Sequence, residues 1–348
     1  MKKKINISPN LSILDALKYM DTVESKLLIV MDNNKFIGLI SIGDIQRAII
    51  KNVNLDNPIK NILRGKYNVA TPEMSIETIK ALMFENRMEL CPIVTPNNEL
   101  IDVIFWDDAF KDNKVIEPEQ FNLPVVIMAG GFGTRLKPLT NVLPKPLIPI
   151  GSKTMLEEIF ERFTIHGCNN FFVSINYKAE LIEYYLESLK LPFNVNCFRE
   201  ETPSGTAGSL SLLKDKINST FFVSNCDILI EQDYSEILNY HKTNDNEITI
   251  VAALKHFPIS YGTLETTENG QLLSIIEKPE LTYKINSGMY ILEPHLLNEI
   301  PQDEFFHITH LIEKILQRKG KIGVFPVSEK SWKDMGTMTE YLKFFTND

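Results

Sequence analysis

The stretch Val125-Val126-Ile127-Met128-Ala129-Gly130-Gly131-Phe132-Gly133-Thr134-Arg135-Leu136 constrains the fold more than any other part of the chain. Four apolar residues run straight into a glycine-rich turn, the pattern of a central parallel strand that ends at a ligand loop. Gly130, Gly131 and Gly133 let the backbone turn tightly and bring its N–H groups close to an anion. Ala129 and Thr134 flank them, and Arg135 adds a fixed charge with a donor fork suited to phosphate oxygens. The loop therefore predicts a polyphosphate site. Two phosphate motifs are disfavoured by what is missing. A Walker loop closes with Gly-Lys-Ser/Thr, but Gly133 is followed by Thr134-Arg135. A dinucleotide fingerprint needs a third glycine where Leu136 stands.

Beyond this loop, strand-like segments (171–175, 221–224) alternate with helical ones (155–163, 179–186, 234–241). The alternation predicts an α/β domain with a mostly parallel sheet covered by helices on both faces. Ligands bind such sheets at the carboxyl ends of the strands, where the glycine loop lies. A length of 348 residues leaves room for a second domain. The net charge of −9 argues against general affinity for nucleic acid or anionic membranes. No run of about 18 apolar residues predicts a membrane span. The basic Met1-Lys2-Lys3-Lys4 start is followed by no apolar core of a signal peptide. Cys91, Cys168, Cys197 and Cys226 show no metal-ligand spacing and read as buried thiols in a reducing cytoplasm.

The front of the chain carries an internal repeat. Ser12 caps a helix, strands follow at 27–30 and 36–41, and Asp44 opens a second helix. The order recurs with a helix at 75–83, strands at 91–94 and 100–105, and Asp108 near the start of a last helix. This arrangement resembles a tandem CBS pair, or Bateman module, over residues 1–114, with repeats of about 1–56 and 57–114. The resemblance implies an α+β module that binds an adenine nucleotide. Ser41 and Asp44 match the family's ribose-contacting pair, and Asp108 matches in the second repeat, where Phe105 replaces the hydroxyl. Aspartate also favours helix N-caps, so both aspartates are equally candidate caps. The polar segment 111–124, with Pro118 and Pro124, lacks periodicity and reads as a linker, taken as 115–124.

Further chemistry follows the glycine loop. Lys145 stands between Pro144 and Pro146 with little backbone freedom, a second cation for the same polyanion. Ser204-Gly205-Thr206-Ala207-Gly208 predicts a helix opening whose glycines admit a flat ligand. Asp227 ends a buried strand, and Asp334 appears late in Trp332-Lys333-Asp334-Met335-Gly336-Thr337. Two such carboxylates suit Mg²⁺, a hard ion that prefers oxygen ligands.

Together these motifs resemble the sugar-1-phosphate nucleotidyltransferases, which make nucleoside-diphosphate sugars, over residues 125–348. The carriers are the loop 129–136, Pro144-Lys145-Pro146, Asn225-Cys226-Asp227, Tyr261-Gly262, Glu277-Lys278-Pro279, Asn286-Ser287-Gly288 and Asp334. Cys226 stands where the family usually has glycine. The resemblance implies a Rossmann-like, GT-A-like mixed sheet in which Ala129, Gly130, Gly131, Gly133, Thr134, Gly205 and Thr206 bind a nucleoside triphosphate. It further implies that Arg135 and Lys145 stabilise the phosphates and that Asp227 and Asp334 hold Mg²⁺. Lys278 would grip the sugar phosphate, while Gly262, Glu277 and Asn286 bind the sugar.

The base is read from the segment before Gly205. A carboxylate there, Glu200 or Glu201, accepts hydrogen bonds and suits the N1–H and N2–H₂ donors of guanine. Both glutamates would face solvent in the plainer reading. GTP is the expected nucleotide, with UTP and dTTP as alternatives. A CBS pair fused to this domain resembles the bacterial guanylyltransferases that activate glucosamine-1-phosphate for legionaminic acid on flagellin and surface glycans. Mannose-1-phosphate is the competing sugar. A homo-oligomer is expected by the same resemblance. A catalytically inactive nucleotide-sensing scaffold is the alternative of another class, disfavoured because Arg135, Lys145, Asp227 and Asp334 are all present.

Overall fold

The computed structural model describes residues 5–86, 88–110, 118–200 and 204–346. Its contacts divide the chain into two compact units, 1–117 and 118–348. In the first, strand β1 (Asn6–Ile7) lies parallel to β2 (Leu27–Asp32), which pairs antiparallel with β3 (Lys35–Ser41). Helix α1 (Ile13–Val23) starts on Ser12, whose hydroxyl accepts the Asp15 N–H. Helix α2 (Ile42–Ile50) follows β3 without a break. The second copy has α3 (Ile76–Glu85), capped by Ser75, then the antiparallel pair β4 (Leu90–Val94) and β5 (Leu100–Phe105), and the single turn α4 (Trp106–Ala109). Its equivalent of β1 is reduced to one parallel bridge between Ala70 and Ile93. The two hairpin tips meet, with the Phe36 N–H donating to the Asn98 carbonyl at 2.7 Å.

Neither aspartate proposed as a helix N-cap takes that position. Ser41 caps α2, and Asp44 sits three residues in, accepting the Ser41 N–H at 2.9 Å and its hydroxyl at 2.7 Å. This reciprocal capping box satisfies two donors at once, so the helix begins earlier than an Asp44 cap would allow. The Asp44 carboxylate is also bonded by Arg64 and Arg47. Burial pushes its pKa up, but the bonds from Arg64, Ser41 and Arg47 outweigh it and hold the carboxyl below its usual range. In the second copy Phe105 occupies the cap position with no side-chain bond, so Asp108 lies inside the turn.

The second unit is a mixed α/β layer structure around a seven-stranded, mostly parallel sheet. Its strands are β6 (Val125–Met128), β7 (Asn170–Ile175), β8 (Asn194–Arg199), β9 (Phe221–Asn225), β10 (Ile248–Pro258), β11 (Glu280–Leu292) and β12 (Ile322–Val327). In space the order is β8-β7-β6-β9-β11-β10-β12, and only β11 runs against its neighbours. The period-two pleat sorts side chains to opposite faces. Val125, Ile127, Phe171, Val173 and Phe222 enter one core with helices α5 (Met155–Thr164), α6 (Ala179–Ser188), α7 (Tyr234–Thr243) and α9 (Met338–Thr346). Val126, Phe172, Phe221 and Val223 enter the other, with α8 (Ile308–Gln317) and the 3₁₀ run Gly208–Leu213.

Residues 118–124 have no regular structure, yet they lie on this second unit. Phe121 stacks on His166 at 4.9 Å and donates its N–H to the His166 carbonyl at 3.0 Å. The linker residues 111–117 fall outside the described part. Of the four cysteines, Cys91, Cys168 and Cys226 are buried, whereas Cys197, expected to be buried, is half-exposed near the sheet edge. Among the described residues, no helix is long and apolar enough to cross a membrane.

Candidate active site

A cleft of 350 Å³ opens at the carboxyl ends of β6 and β9 and is walled by the glycine loop. The three glycines of that loop serve different ends. Gly133 adopts φ +63°, and a Cβ there would stand 2.7 Å from Thr140 Cγ2 and 3.2 Å from Lys145 Cβ. Only glycine meets both demands cheaply. A Cβ on Gly130 would approach a Glu200 carboxylate oxygen to 2.8 Å. Gly131 opens to empty space, which leaves its backbone exposed at the cleft. Thr134 and Arg135 follow in a 3₁₀ turn and also line the cleft.

Beyond Gly133 lies a charged set. The Lys145 ammonium bonds the Asp227 carboxylate, both largely buried. Asp227 lies two residues past the end of β9, and its carbonyl accepts the Met335 N–H at 2.8 Å. A short antiparallel ladder, Ile228–Ile230 against Trp332–Asp334, sets Ile228 opposite Asp334 and so brings the two aspartates together. Between them sits Gly336. A Cβ on it would stand 2.6 Å from Asp227 Oδ2, 2.9 Å from Asp334 Oδ1 and 3.4 Å from an Arg135 nitrogen. Burial raises the Asp334 pKa and the Asp227 charge adds to it; the Gly336 N–H, Lys145 and Arg135 offset only part. Two converging carboxylates, one of them already disfavoured as an anion, fit a hard divalent cation completed by substrate oxygens. Burial pushes the adjacent Cys226 thiol up to about 12, so it stays protonated and is no nucleophile at neutral pH.

On the Gly130 side the groups are largely uncharged. Glu200 is 9% exposed, so it does not face solvent as the plainer reading had it. Its carboxylate accepts from the Ser174 hydroxyl and from the Ser204 N–H at 3.1 Å. Glu201 lies outside the described residues. Gly205 (φ +83°) and Gly208 do permit a close approach, but to backbone: a Cβ on Gly205 would meet the Phe306 carbonyl at 2.6 Å. Thr206 reaches His307, whose Nδ1 lies 3.3 Å from both the Thr206 nitrogen and its hydroxyl.

Four of the proposed sugar-binding and phosphate-gripping positions stand apart from the cleft lining: Gly262, Glu277, Lys278 and Asn286 are at least partly exposed. Gly262 and Glu277 are neighbours, since a Cβ on the glycine would lie 2.9 Å from the carboxylate. Asn286 accepts the Gly288 N–H at 3.1 Å, and Gly288 packs on Asn225 of the cleft wall. Ser41, Asp44 and Asp108 belong to the first unit. Motif reading missed Gly336, Phe305 and His307 as cleft residues. The spacing Asp334-x-Gly336 could have flagged the first; nothing in the local sequence marks the other two.

A family model described as Nucleotidyl transferase matches residues 124–348, and one described as CBS domain matches residues 1–51. The chain belongs to the nucleotidyl transferase family, with a CBS domain at its N-terminus. It is similar to the mannose-1-phosphate guanylyltransferase catalytic subunit beta of Dictyostelium discoideum, 37% identical over 51% of this chain and 52% of that protein. It is also similar to mannose-1-phosphate guanylyltransferase 1 of Arabidopsis thaliana, 33% identical over 63% of each. The chain thus spans between half and two-thirds of the length of these relatives. Among solved structures, HddC from Yersinia pseudotuberculosis superposes with a TM-score of 0.52 at 29% identity, covering 65% of this chain and 99% of that one. HddC complexed with GMP-PN gives 0.50 at 28%.

Proposed function

We propose that the second unit transfers a guanylyl group from GTP to a sugar-1-phosphate and releases pyrophosphate. The observation that carries this reading is the convergence of Asp227, Asp334 and Arg135 on Gly336, with Lys145 bonded to Asp227, at the end of a glycine loop. A phosphate oxygen of the sugar-1-phosphate attacks the α-phosphorus in line; the bond from that phosphorus to the bridging oxygen breaks, and pyrophosphate leaves with the electron pair. The attacking oxygen is already anionic, so no general base is required. Arg135 and the loop N–H groups hold the departing pyrophosphate, and Lys145 neutralises charge on the α-phosphoryl oxygens. Asp227 and Asp334 would hold Mg²⁺, which when bound supplies further charge neutralisation at the phosphates.

Guanine is favoured because the Glu200 carboxylate lines the cleft and retains acceptor capacity beyond its two internal bonds. The names of the similar guanylyltransferases and the GMP-PN complex of HddC support the same base. Glucosamine-1-phosphate, with a place in legionaminic acid synthesis, is our first reading of the sugar, supported by the fused CBS domain; mannose-1-phosphate is the second, favoured by the relatives' names. The first unit is read as a site for an adenine nucleotide that tunes activity, and the chain as a homo-oligomer. The deciding experiment incubates the protein with each triphosphate and each sugar phosphate and measures pyrophosphate. Turnover with UTP or dTTP alone would overturn the guanylyl assignment. Lys145→Ala and Asp227→Ala should each abolish turnover with the fold retained, and full activity in either would refute the roles of these two residues.

A further inference from the structure

Two linked sets of groups can be traced in the cleft lining, and the exposed Phe132 of the glycine loop, whose ring meets Tyr177, belongs to neither. Gly133, Lys145, Asp227, Gly336 and Arg135 form one set, linked by the Lys145–Asp227 ion pair and by the close approach of Lys145 to Gly133 and of Asp227 and Arg135 to Gly336. Gly130, Glu200, Ser204, Thr206, Phe305 and His307 are joined by a second set, poor in charge and containing the exposed aromatic ring of Phe305. A nucleoside triphosphate has the same division, an anionic chain and a flat base. The charged set suits the phosphates, which leaves the aromatic set to face the nucleoside.

Phe305 is 62% exposed on the cleft wall. Its ring meets His307 edge-on, with centroids 4.7 Å apart and planes at 79°. The backbone on either side of His307 is clamped. The Phe306 N–H donates to the Ser204 carbonyl at 2.9 Å, and the Phe306 carbonyl accepts the Ala207 and Gly208 N–H groups at 3.0 Å each. On the other side the Ile308 N–H donates to the Thr206 hydroxyl at 3.1 Å. His307 Nδ1 accepts the Thr206 N–H at 3.3 Å. An aromatic ring exposed at the cleft, braced edge-on by His307 and carried next to a clamped backbone, offers a flat partner a surface that needs little ordering.

We infer that the Phe305–His307 segment is the nucleoside wall of the cleft, with the Phe305 ring as the stacking surface for the base. The inference rests on the nucleotidyl-transfer reading for its ligand class, but not on the choice of base, because every base offers a π-face. Titration calorimetry on the full-length chain tests it with two ligands, a nucleoside triphosphate and inorganic pyrophosphate, which lacks a base. Phe305→Ala should weaken GTP binding roughly ten- to a hundredfold. Phe305→Tyr should bind GTP like the native chain, and pyrophosphate affinity should be the same in all three proteins. In turnover, the KM for the triphosphate should rise in Phe305→Ala while the KM for the sugar phosphate does not. Unchanged triphosphate affinity in Phe305→Ala overturns the inference, and so does an equal loss for triphosphate and pyrophosphate. If the native chain takes UTP in place of GTP, the base assignment fails, and the same comparison with UTP still decides the role of Phe305. If the native chain binds no triphosphate, both readings fall together.

Discussion

Gly336 shows how much of this site depends on a side chain that is missing. Its backbone conformation does not demand glycine, since it is not among the positive-φ residues, but a Cβ would intrude between Asp227, Asp334 and Arg135. Gly336→Ala should therefore fold normally yet lose more than about a hundredfold in turnover, as expected when reacting groups are displaced by about an ångström. A steady-state assay beside a melting curve checks both halves, and native turnover would show that the carboxylates do not act as a pair. Arg135, Lys145, Asp227 and Asp334 were legible because each sits in a short motif of fixed spacing. Phe305 and His307 were not, because no local motif marks them and His307 takes its partner Thr206 from about a hundred residues away. Gly336 showed only as a spacing from Asp334, its neighbours Asp227 and Arg135 being remote in sequence. At a second buried position the sign of a pH effect can be worked out. His241 is 1% exposed and lies between Thr249 Oγ1 at 2.8 Å and Glu293 Oε1 at 3.1 Å. Burial lowers its pKa, and Glu293 offsets only part of that. The unfolded chain thus binds the proton more readily, so this contribution is complete above the unfolded value near 6.5 and is lost as pH falls towards the folded one. Thermal unfolding between pH 7.5 and 5.5 should show a shallower acid-side decline in His241→Gln than in the native chain; identical slopes would remove His241 from the account.

At the scale of elements, the ladder between Ile228–Ile230 and Trp332–Asp334 makes the site bimodal in sequence and single in space. Long, strongly patterned strands such as 170–175 and 221–225 were readable because they bury residues on both faces. Three-residue strands carry too few residues to show a period, so this ladder was invisible. The run after Thr206 was expected as a helix and is 3₁₀ instead, Gly208–Leu213, where the glycine is pressed against the Glu304 and Phe306 backbone. The ladder offers a direct test. Met335 donates to Asp227 and Glu231 donates to Ser331, so Lys333, midway and opposite Leu229, is also a bonded position. Lys333→Pro removes that donor at a cost of about 2–3 kcal/mol and lets Asp334 drift from Asp227. Turnover should fall with Lys333→Pro and be kept with Lys333→Thr, a residue that suits a strand. Equal activity in the two variants would mean that the ladder does not position the carboxylates.

For the whole molecule, the question is how far the two units depend on each other. The two large cores of the second unit are built only from residues at or beyond Phe121, and every cleft residue lies in the same unit. The first unit has its own small core around Ile79, Met83 and Cys91, with Trp106 and Phe110 packed on it. The repeat that defines the first unit was legible because both copies keep the same order of caps and apolar runs. The extra residues of the second unit's boundary were not, because Phe121 and Leu123 look like linker until the core they join is known. A unit that closes its own cores is expected to fold without its neighbour. Residues 118–348 expressed alone should therefore unfold cooperatively and keep kcat within about threefold of the full chain at saturating substrates. An effect of adenine nucleotide on turnover, if the first unit transmits one, should appear only in the full chain. In that chain Asp44→Asn should weaken the effect by removing the charge that Arg47 and Arg64 share. Insoluble or inactive 118–348 would show that the first unit completes the fold, and an adenine-nucleotide response in the shortened chain would move the regulatory site into the catalytic unit.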